Sequence, residues 1–174
     1  KTSVSALKAD GVNNEIYKLN AALRVIYQNG QYLFVQDGTG ALLIYGNAGK
    51  TYEEGDYIYN GIYGKFSPYN GMNELAVVAG APDMADGEAG DPVKPIVVTI
   101  ADLVANYAQY ESKLVTIKDV TFTGGNNFAQ GDDAISFYNR FNTSFNIAAG
   151  SLGNVTGLVA KNNSNVQIYP RSNK

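Results

Sequence analysis

The chain has 174 residues, of which 45% are hydrophobic, and its formal net charge is −3. This balance excludes an intrinsically disordered chain and provides no basic excess for salt-dependent binding to phosphate backbones. Because the sequence contains no Cys and no His, it excludes disulfide frameworks, thiolate metal sites and histidine-based catalytic triads. It has no apolar run of the length that a transmembrane helix needs.

The first half of the chain predicts a short helix followed by five strands. Aromatic and β-branched residues in short runs favour strands, and Asn-Gly and Asp-Gly pairs indicate the turns between them. In chain order, the predicted elements are a helix at Val4–Lys8 and strands at Ile16–Tyr27, Tyr32–Gln36, Ala41–Tyr45, Asp56–Phe66 and Glu74–Val78.

Residues 82–95 are rich in Pro, Gly and acidic side chains and show no apolar periodicity. This composition predicts a linker between two folded units. Its carboxylates could offer oxygen ligands to Ca²⁺, but their spacing matches no EF-hand loop. We therefore expect solvated side chains and no metal site at Asp83, Asp86, Glu88 and Asp91.

The second half predicts the same order of elements. Thr99 is a candidate N-cap, followed by Asp102 in the first turn, for a helix at Ile100–Asn106. The pair Gly124-Gly125 indicates a hairpin turn. The predicted strands are Leu114–Phe122, Asn154–Ala160 and Val166–Tyr169, with two further strands placed between them by comparison with the first half.

A weak internal repeat relates the two halves at a nearly constant offset. The matched segments are Val4 with Ile100, Val25-Ile26-Tyr27 with Val120-Thr121-Phe122, Phe34-Val35-Gln36 with Phe128-Ala129-Gln130, Ala41–Tyr45 with Ala134–Tyr138, and Gly61-Ile62 with Gly157-Leu158. The offset exceeds the solenoid periods of roughly 20–50 residues, so the repeating unit is a domain. The sequence therefore predicts an all-β chain of two tandem five-stranded OB-type barrels, each preceded by a short helix. Their predicted bounds are 1–81 and 96–174.

The segment Tyr32–Tyr45 combines an aromatic strand, the turn Asp37-Gly38-Thr39-Gly40 and a second apolar strand. Together with Gly61–Gly64, Tyr69–Gly71 and the ending Gln167–Ser172, it resembles OB-fold domains of exported, often lipid-anchored, surface proteins of anaerobic gut bacteria. A looser likeness extends to OB-like domains of secreted nucleases and to tRNA-synthetase anticodon domains. The resemblance implies an exported protein of the periplasm or outer-membrane surface, without a known activity. Because the chain starts at Lys1 without Met, we expect a processed or trimmed form.

Strand alternation divides the side chains of the second and third predicted strands between two faces. The aliphatic set fits the barrel interior, and the other set lies on the outer face, where OB-folds hold oligonucleotides and oligosaccharides. The loop between the fourth and fifth strands borders that face. The candidate ligand-binding residues are Tyr32, Phe34, Gln36, Leu43, Tyr45, Lys65, Tyr69 and Asn70. Packing of this face against the other unit or a loop is the alternative.

Two other groups of residues are weaker candidates. Tyrosines on one side of a strand more often pack across strands than bind a ligand, and this applies to Tyr57, Tyr59 and Tyr63. In the second unit, the counterparts of the loop residues are Asn139, Arg140 and Asn142.

These observations favour a non-catalytic ligand-binding or adhesion module that uses no cofactor. An oligosaccharide is the first-choice ligand, because the candidate face is aromatic and amide-bearing but not basic. Single-stranded nucleic acid is the alternative, since the fold suits it and the charge does not. A structural spacer without its own ligand is the second alternative. An enzyme is the least favoured class.

Overall fold

The structure, a computed structural model, describes residues 1–143 and 147–171. The chain forms two compact units, Lys1–Val93 and Lys94–Lys174. Strands dominate both units, and the helices are short. The prediction of an all-β chain with two units, each with a short helix before its main strands, is therefore confirmed.

The first unit is a curled sheet preceded by a helix. Its elements are α1 (Val4–Asp10), β1 (Ile16–Leu19), β2 (Leu23–Asn29), β3 (Tyr32–Gln36), β4 (Ala41–Tyr45), β5 (Tyr57–Ile58), β6 (Ile62–Phe66) and β7 (Glu74–Ala76). The strand order is β1-β6-β7-β4-β3-β2-β5. Neighbouring strands are antiparallel except β4 and β7, which are parallel.

The continuous strands predicted at Ile16–Tyr27 and Asp56–Phe66 are each split in two. Asn60 and Gly61, between β5 and β6, have φ values of 70° and 81°, a left-handed conformation that Asn and Gly adopt more readily than other residues. β1 pairs with β6, and β2 pairs with β5. The two interruptions therefore lie opposite each other, and the sheet bends there.

The side chains on the inner face of the curled sheet form the core of the first unit. Alternate residues of β3 and β4 are buried in it, as the strand pattern predicts, and Val4 and Leu7 of α1 belong to the same cluster. The helix therefore covers one end of the sheet. Burial of these aliphatic side chains is the main stabilising contribution to such a unit.

Asp37 attaches α1 to the turn between β3 and β4. Its Oδ2 accepts a hydrogen bond from the Val4 N–H at 2.8 Å, and its Oδ1 accepts from the Thr39 N–H and hydroxyl at 2.7 and 2.6 Å and from the Gly40 N–H at 3.1 Å. Partial burial acts to raise the pKa of Asp37, but these hydrogen bonds outweigh it and lower the pKa from its usual value. The Asp-Gly-Thr-Gly turn therefore has a structural role.

Most of the predicted linker packs on the first unit, which corrects both the predicted linker at 82–95 and the predicted end of the first unit at 81. Met84 is only 7% exposed and belongs to the first core cluster. The Tyr52 hydroxyl donates to the Ala85 carbonyl at 2.7 Å, and the backbones of Glu88 and Tyr57 form an antiparallel bridge. A few apolar contacts without regular spacing, at Met84, Ala85 and Val93, and backbone hydrogen bonds make these attachments, so no apolar periodicity marked the segment.

The rest of the segment is also attached. The Arg24 guanidinium donates to the carbonyl of Asp91. Lys50 Nζ lies 2.6 Å from a carboxylate oxygen of Asp86, and this exposed ion pair contributes little to stability. We refer to residues 84–93 as the strap. The strap belongs to the first unit, whose boundary falls after Val93.

The second unit is a closed five-stranded barrel with one additional edge strand. Its elements are β8 (Ile96–Val97), α2 (Ile100–Ala105), α3 (Tyr107–Tyr110), β9 (Leu114–Gly124), β10 (Asn127–Gln130), β11 (Asp133–Phe137), β12 (Leu152–Asn162) and β13 (Asn165–Pro170). The order is β10-β11-β13-β12-β9-β8, and β10 also pairs with β9 and closes the barrel. Its third and fifth barrel strands, β11 and β13, are parallel. This is a Greek-key barrel of the OB type.

The helix of the second unit is attached in the same way as α1, but without a charge. Thr99 is the N-cap of α2, as predicted, and its hydroxyl oxygen accepts from the Asp102 N–H at 3.1 Å. Gln130 Oε1 accepts from the Ile100 N–H at 2.9 Å, and its Nε2 donates to the Lys118 carbonyl at 2.8 Å. Gln130 thus has the role that Asp37 has in the first unit. Within residues 1–143 and 147–171, no helix has the length and apolar character needed to cross a bilayer.

Candidate functional site

In the first unit, strand register arranges the six predicted site residues that lie on strands in three parallel rows on the outer face. One row contains Tyr32, Tyr45, Ala76 and Lys65, which are successive cross-strand neighbours on β3, β4, β7 and β6. We refer to these four residues as the tyrosine–lysine row. The structure therefore brings together three of the predicted residues, Tyr32, Tyr45 and Lys65.

The middle row of this face is packed rather than open. Phe34 and Leu43 are cross-strand neighbours, and Glu74 lies beside Leu43 on β7. Phe34 is 0% exposed and Leu43 is 1% exposed. This overturns the prediction that Phe34 and Leu43 contact a ligand, because strand alternation assigns a side chain to a face but does not show whether that face is covered.

The remaining predicted residues lie beyond the middle row. Gln36 pairs with Ala41 at the far end of β3, and Tyr69 and Asn70 lie in the loop that connects β6 to β7, where Tyr69 bridges Met72. Asn70 has a φ of 50°, so its backbone conformation forms the turn. The predicted site is therefore divided, with the buried row between its two ends.

The exposed end of the face is aromatic. The rings of Tyr32 and Tyr45 meet edge to face, with centroids 5.3 Å apart, and Tyr45 is 39% exposed. Tyr57 and Tyr59 stack on each other within one segment, with centroids 6.0 Å apart, and the cross-strand neighbour of Tyr57 is Arg24, whose guanidinium lies 5.7 Å from its ring centroid. Tyr63 lies under the Lys18 ammonium, 5.4 Å from its ring centroid.

The second unit has an open groove that the sequence did not predict. Its volume is about 650 Å³. One wall includes Val104 of α2, and the floor includes Ile135 and Val166, each 8% exposed. The lining residues are Val104, Thr123, Asn127, Ala134, Ile135, Ser136, Ser164, Asn165, Val166 and Gln167. None of these ten side chains is charged, and six of them carry a hydroxyl or an amide.

The groove follows from the way in which β11 and β13 meet. These parallel strands pair at only two positions, Ser136 with Gln167 and Phe137 with Ile168. The residues that precede these pairs, 134–135 and 164–166, line the groove. The groove therefore runs along the N-terminal ends of β11 and β13.

The polar groups of the groove are available to a ligand. Asn127, Ser136 and Gln167 form one cross-strand row on β10, β11 and β13. The Asn127 amide nitrogen donates to the carbonyls of Gly124 and Gly125 at 3.2 and 3.0 Å, so its oxygen faces no competing internal donor among the described residues. In the part of the chain that the structure describes, the side chains of Ser136 and Gln167 make no hydrogen bond.

The predicted candidates of the second unit contact neighbouring residues of their own turn. The Asn139 amide donates to the Thr143 carbonyl at 2.8 Å and accepts from the Thr143 N–H and hydroxyl. The Arg140 guanidinium lies 4.6 Å from the ring centroid of Tyr138. Asn142 has a φ of 49°. These contacts place Asn139, Arg140 and Asn142 in a turn rather than in the groove.

Among residues 1–143 and 147–171, no group of three or more acidic residues is arranged to hold a metal ion. In the strap, Asp86 pairs with Lys50 instead. Burial, followed by the charges of Asp86 and Asp56, raises the pKa of the Tyr52 hydroxyl to about 12. Tyr52 therefore remains a neutral hydrogen-bond donor at neutral pH.

No protein-family model and no curated protein matches the chain. The functional assignment therefore rests on the groove and on the outer face of the first unit.

Proposed function

We propose that this protein is a non-catalytic module that binds an uncharged oligosaccharide in the groove of the second unit. The observation that carries this proposal is the lining of the groove, which combines an apolar floor with hydroxyl and amide groups that can still form hydrogen bonds and contains no charged residue. Small-ligand sites are typically concave and largely apolar, with a few convergent polar groups.

The chemistry of the lining favours a polyhydroxylated ligand. Ser136 and Gln167 offer both donors and acceptors, and the Asn127 oxygen offers an acceptor. Sugar hydroxyls are themselves both donors and acceptors, so they can satisfy all three side chains. The methyl groups of Val104, Ala134 and Val166 match the C–H faces of pyranose rings.

Charge disfavours the nucleic-acid alternative. Proteins that follow a nucleic-acid backbone do so with Lys and Arg, and their affinity falls steeply with salt. The groove lining contains neither residue, and the chain as a whole is acidic. Export, which the resemblance implies, is part of the proposal because an oligosaccharide outside the cell would be the accessible ligand.

The test is calorimetric titration of the full chain with neutral hexasaccharides of β-1,4-linked glucose, xylose and mannose, and with an oligothymidylate. We expect at least one neutral hexasaccharide to bind with little dependence on salt. Gln167→Ala should weaken that binding by about fivefold, the value of one lost hydrogen bond of about 1 kcal/mol. Gln109→Ala is the matched control, since Gln109 is an exposed amide of the same unit outside the groove.

Ser136→Arg separates the alternatives. A long cationic side chain should fill the groove and abolish oligosaccharide binding, whereas it should strengthen binding of an oligonucleotide. No binding by any neutral hexasaccharide, or equal losses in Gln167→Ala and Gln109→Ala, would contradict the proposal. A chain that binds neither class of ligand would be a structural spacer.

A further inference from the structure

The tyrosine–lysine row of the first unit has a different chemistry from the groove. It combines one exposed aromatic ring, one small residue and one cation along a single line of cross-strand neighbours. We propose that this row is a second binding site, specific for an acidic saccharide. One sugar ring would lie against Tyr45, and the carboxylate of the adjoining sugar would contact Lys65.

The shape of the row suits a flat sugar ring. Tyr45 is 39% exposed, and its edge-to-face contact with Tyr32 fixes the orientation of the aromatic pair. Ala76 separates Tyr45 from Lys65 and leaves room above the sheet, since its side chain is a single methyl group. Two strand spacings separate Tyr45 from Lys65, which is about 10 Å. A disaccharide can span this distance.

Charge selects an acidic ligand. In the part of the chain that the structure describes, Lys65 takes part in no ion pair or side-chain hydrogen bond, so its ammonium group is available. A uronic-acid carboxylate is ionised at neutral pH and forms a charge-assisted hydrogen bond with such a group. The C–H face of the adjoining sugar packs on the tyrosine ring. A neutral sugar would gain only the second contact.

The site is independent of the groove, and its test uses a different pair of ligands. The ligands are a tetramer of α-1,4-linked galacturonic acid and its methyl ester, which have the same rings and differ in charge. We expect the acid to bind more tightly than the ester. Tyr45→Ala should weaken binding of both by about tenfold, which is the loss of one stacking contact. Lys65→Gln should weaken binding of the acid by about threefold and leave the ester unchanged.

Two controls separate a binding role from a structural one. Tyr69→Ala removes a tyrosine that is more exposed, at 66%, but lies outside the row, and it should change neither affinity. Tyr45→Phe keeps the ring and should retain binding. Gln167→Ala should affect neutral hexasaccharides and not the galacturonate tetramer.

Three outcomes would overturn the inference. These are absence of galacturonate binding by the unsubstituted chain, equal affinity for the acid and the ester, and equal losses in Tyr45→Ala and Tyr69→Ala. Because the neutral ester could also enter the groove, the acid and the ester are compared in a Ser136→Trp chain as well, in which a bulky uncharged side chain fills the groove and only the tyrosine–lysine row is tested.

Discussion

The first and second units place equivalent strands at the centre of their outer faces, but the side chains on those strands differ. The middle row is Phe34, Leu43 and Glu74 in the first unit, and Asn127, Ser136 and Gln167 in the second. Phe34 and Leu43 of the first row are large, apolar and buried, whereas the polar side chains of the second row line an open groove. Residue size and polarity differ at the first two positions of the row, and this difference accompanies a packed face in the first unit and an open one in the second.

The largest expected effect is on stability, at the packed row. Phe34→Ala should lower the free energy of unfolding by about 3–5 kcal/mol, because it removes a fully buried ring. The corresponding change in the open row, Asn127→Ala, should cost about 1 kcal/mol, mainly through the hydrogen bonds to Gly124 and Gly125. Urea denaturation of the two variants measures both values.

Tyr45→Ala is the control for the loss of an aromatic ring from the same face. Since Tyr45 is exposed, its removal should have a much smaller effect than that of Phe34. A loss below about 1 kcal/mol in Phe34→Ala would show that the middle row is not packed, and the contrast between the two units would disappear.

The sequence predicted the faces correctly because strand alternation is a local property. The bounds of β3 and β4 match the predicted strands at both ends, since turn residues flank each of them. The split of the first and fourth strands was not predicted, because long-range pairing decides where a strand bends. The burial of Phe34 and the attachment of the strap also depend on contacts between distant residues.

The groove was missed for a specific reason. Matching residue types paired Phe34 with Phe128, but register pairs Phe128 with Ile135 and Val35 with Leu42. Since Leu42 corresponds to Ile135, Phe128 is the equivalent of Val35, and both belong to the cores of their units. A slip of one residue exchanges the two faces of a strand. With the alignment of this strand shifted by one residue, the predicted repeat pairs Phe34 with Asn127.

The second prediction concerns the helix attachments, which are charged in one unit and neutral in the other. Asp37→Ala should destabilise the first unit by about 1–2 kcal/mol at neutral pH, as for a lost N-cap. Gln130→Ala should destabilise the second unit by about 1 kcal/mol. Amide hydrogen exchange at Val4 and Ile100, whose N–H groups are bound, reports each unit separately.

The pH dependence distinguishes the two attachments further. Because hydrogen bonds lower the pKa of Asp37 in the folded state, its contribution is present above the unfolded value of about 3.9 and is lost as the pH falls through the folded value. Protection of Val4 should therefore decrease in acid, and Asp37→Asn should remove that part of the decrease. Protection at Ile100 should show no such decrease from its own attachment, because the amide side chain of Gln130 does not ionise. An identical acid response at both sites would contradict the assignment of Asp37.

The smallest expected effect is at the strap, which only the first unit carries. Tyr52→Phe should lower the free energy of unfolding by about 1 kcal/mol, because it leaves the partly buried Ala85 carbonyl without its donor. The pKa of Tyr52 is raised to about 12, so its contribution is fully present below the unfolded value of about 10 and is lost as the pH rises through 12. The difference in unfolding free energy between the unsubstituted chain and Tyr52→Phe should thus shrink in strong alkali.

Lys50→Gln, which removes only the exposed ion pair with Asp86, should change stability by less than about 0.5 kcal/mol. If Tyr52→Phe is as neutral as Lys50→Gln, the hydroxyl contributes nothing, and Met84, the Arg24 contact and the backbone hydrogen bonds hold the strap without it.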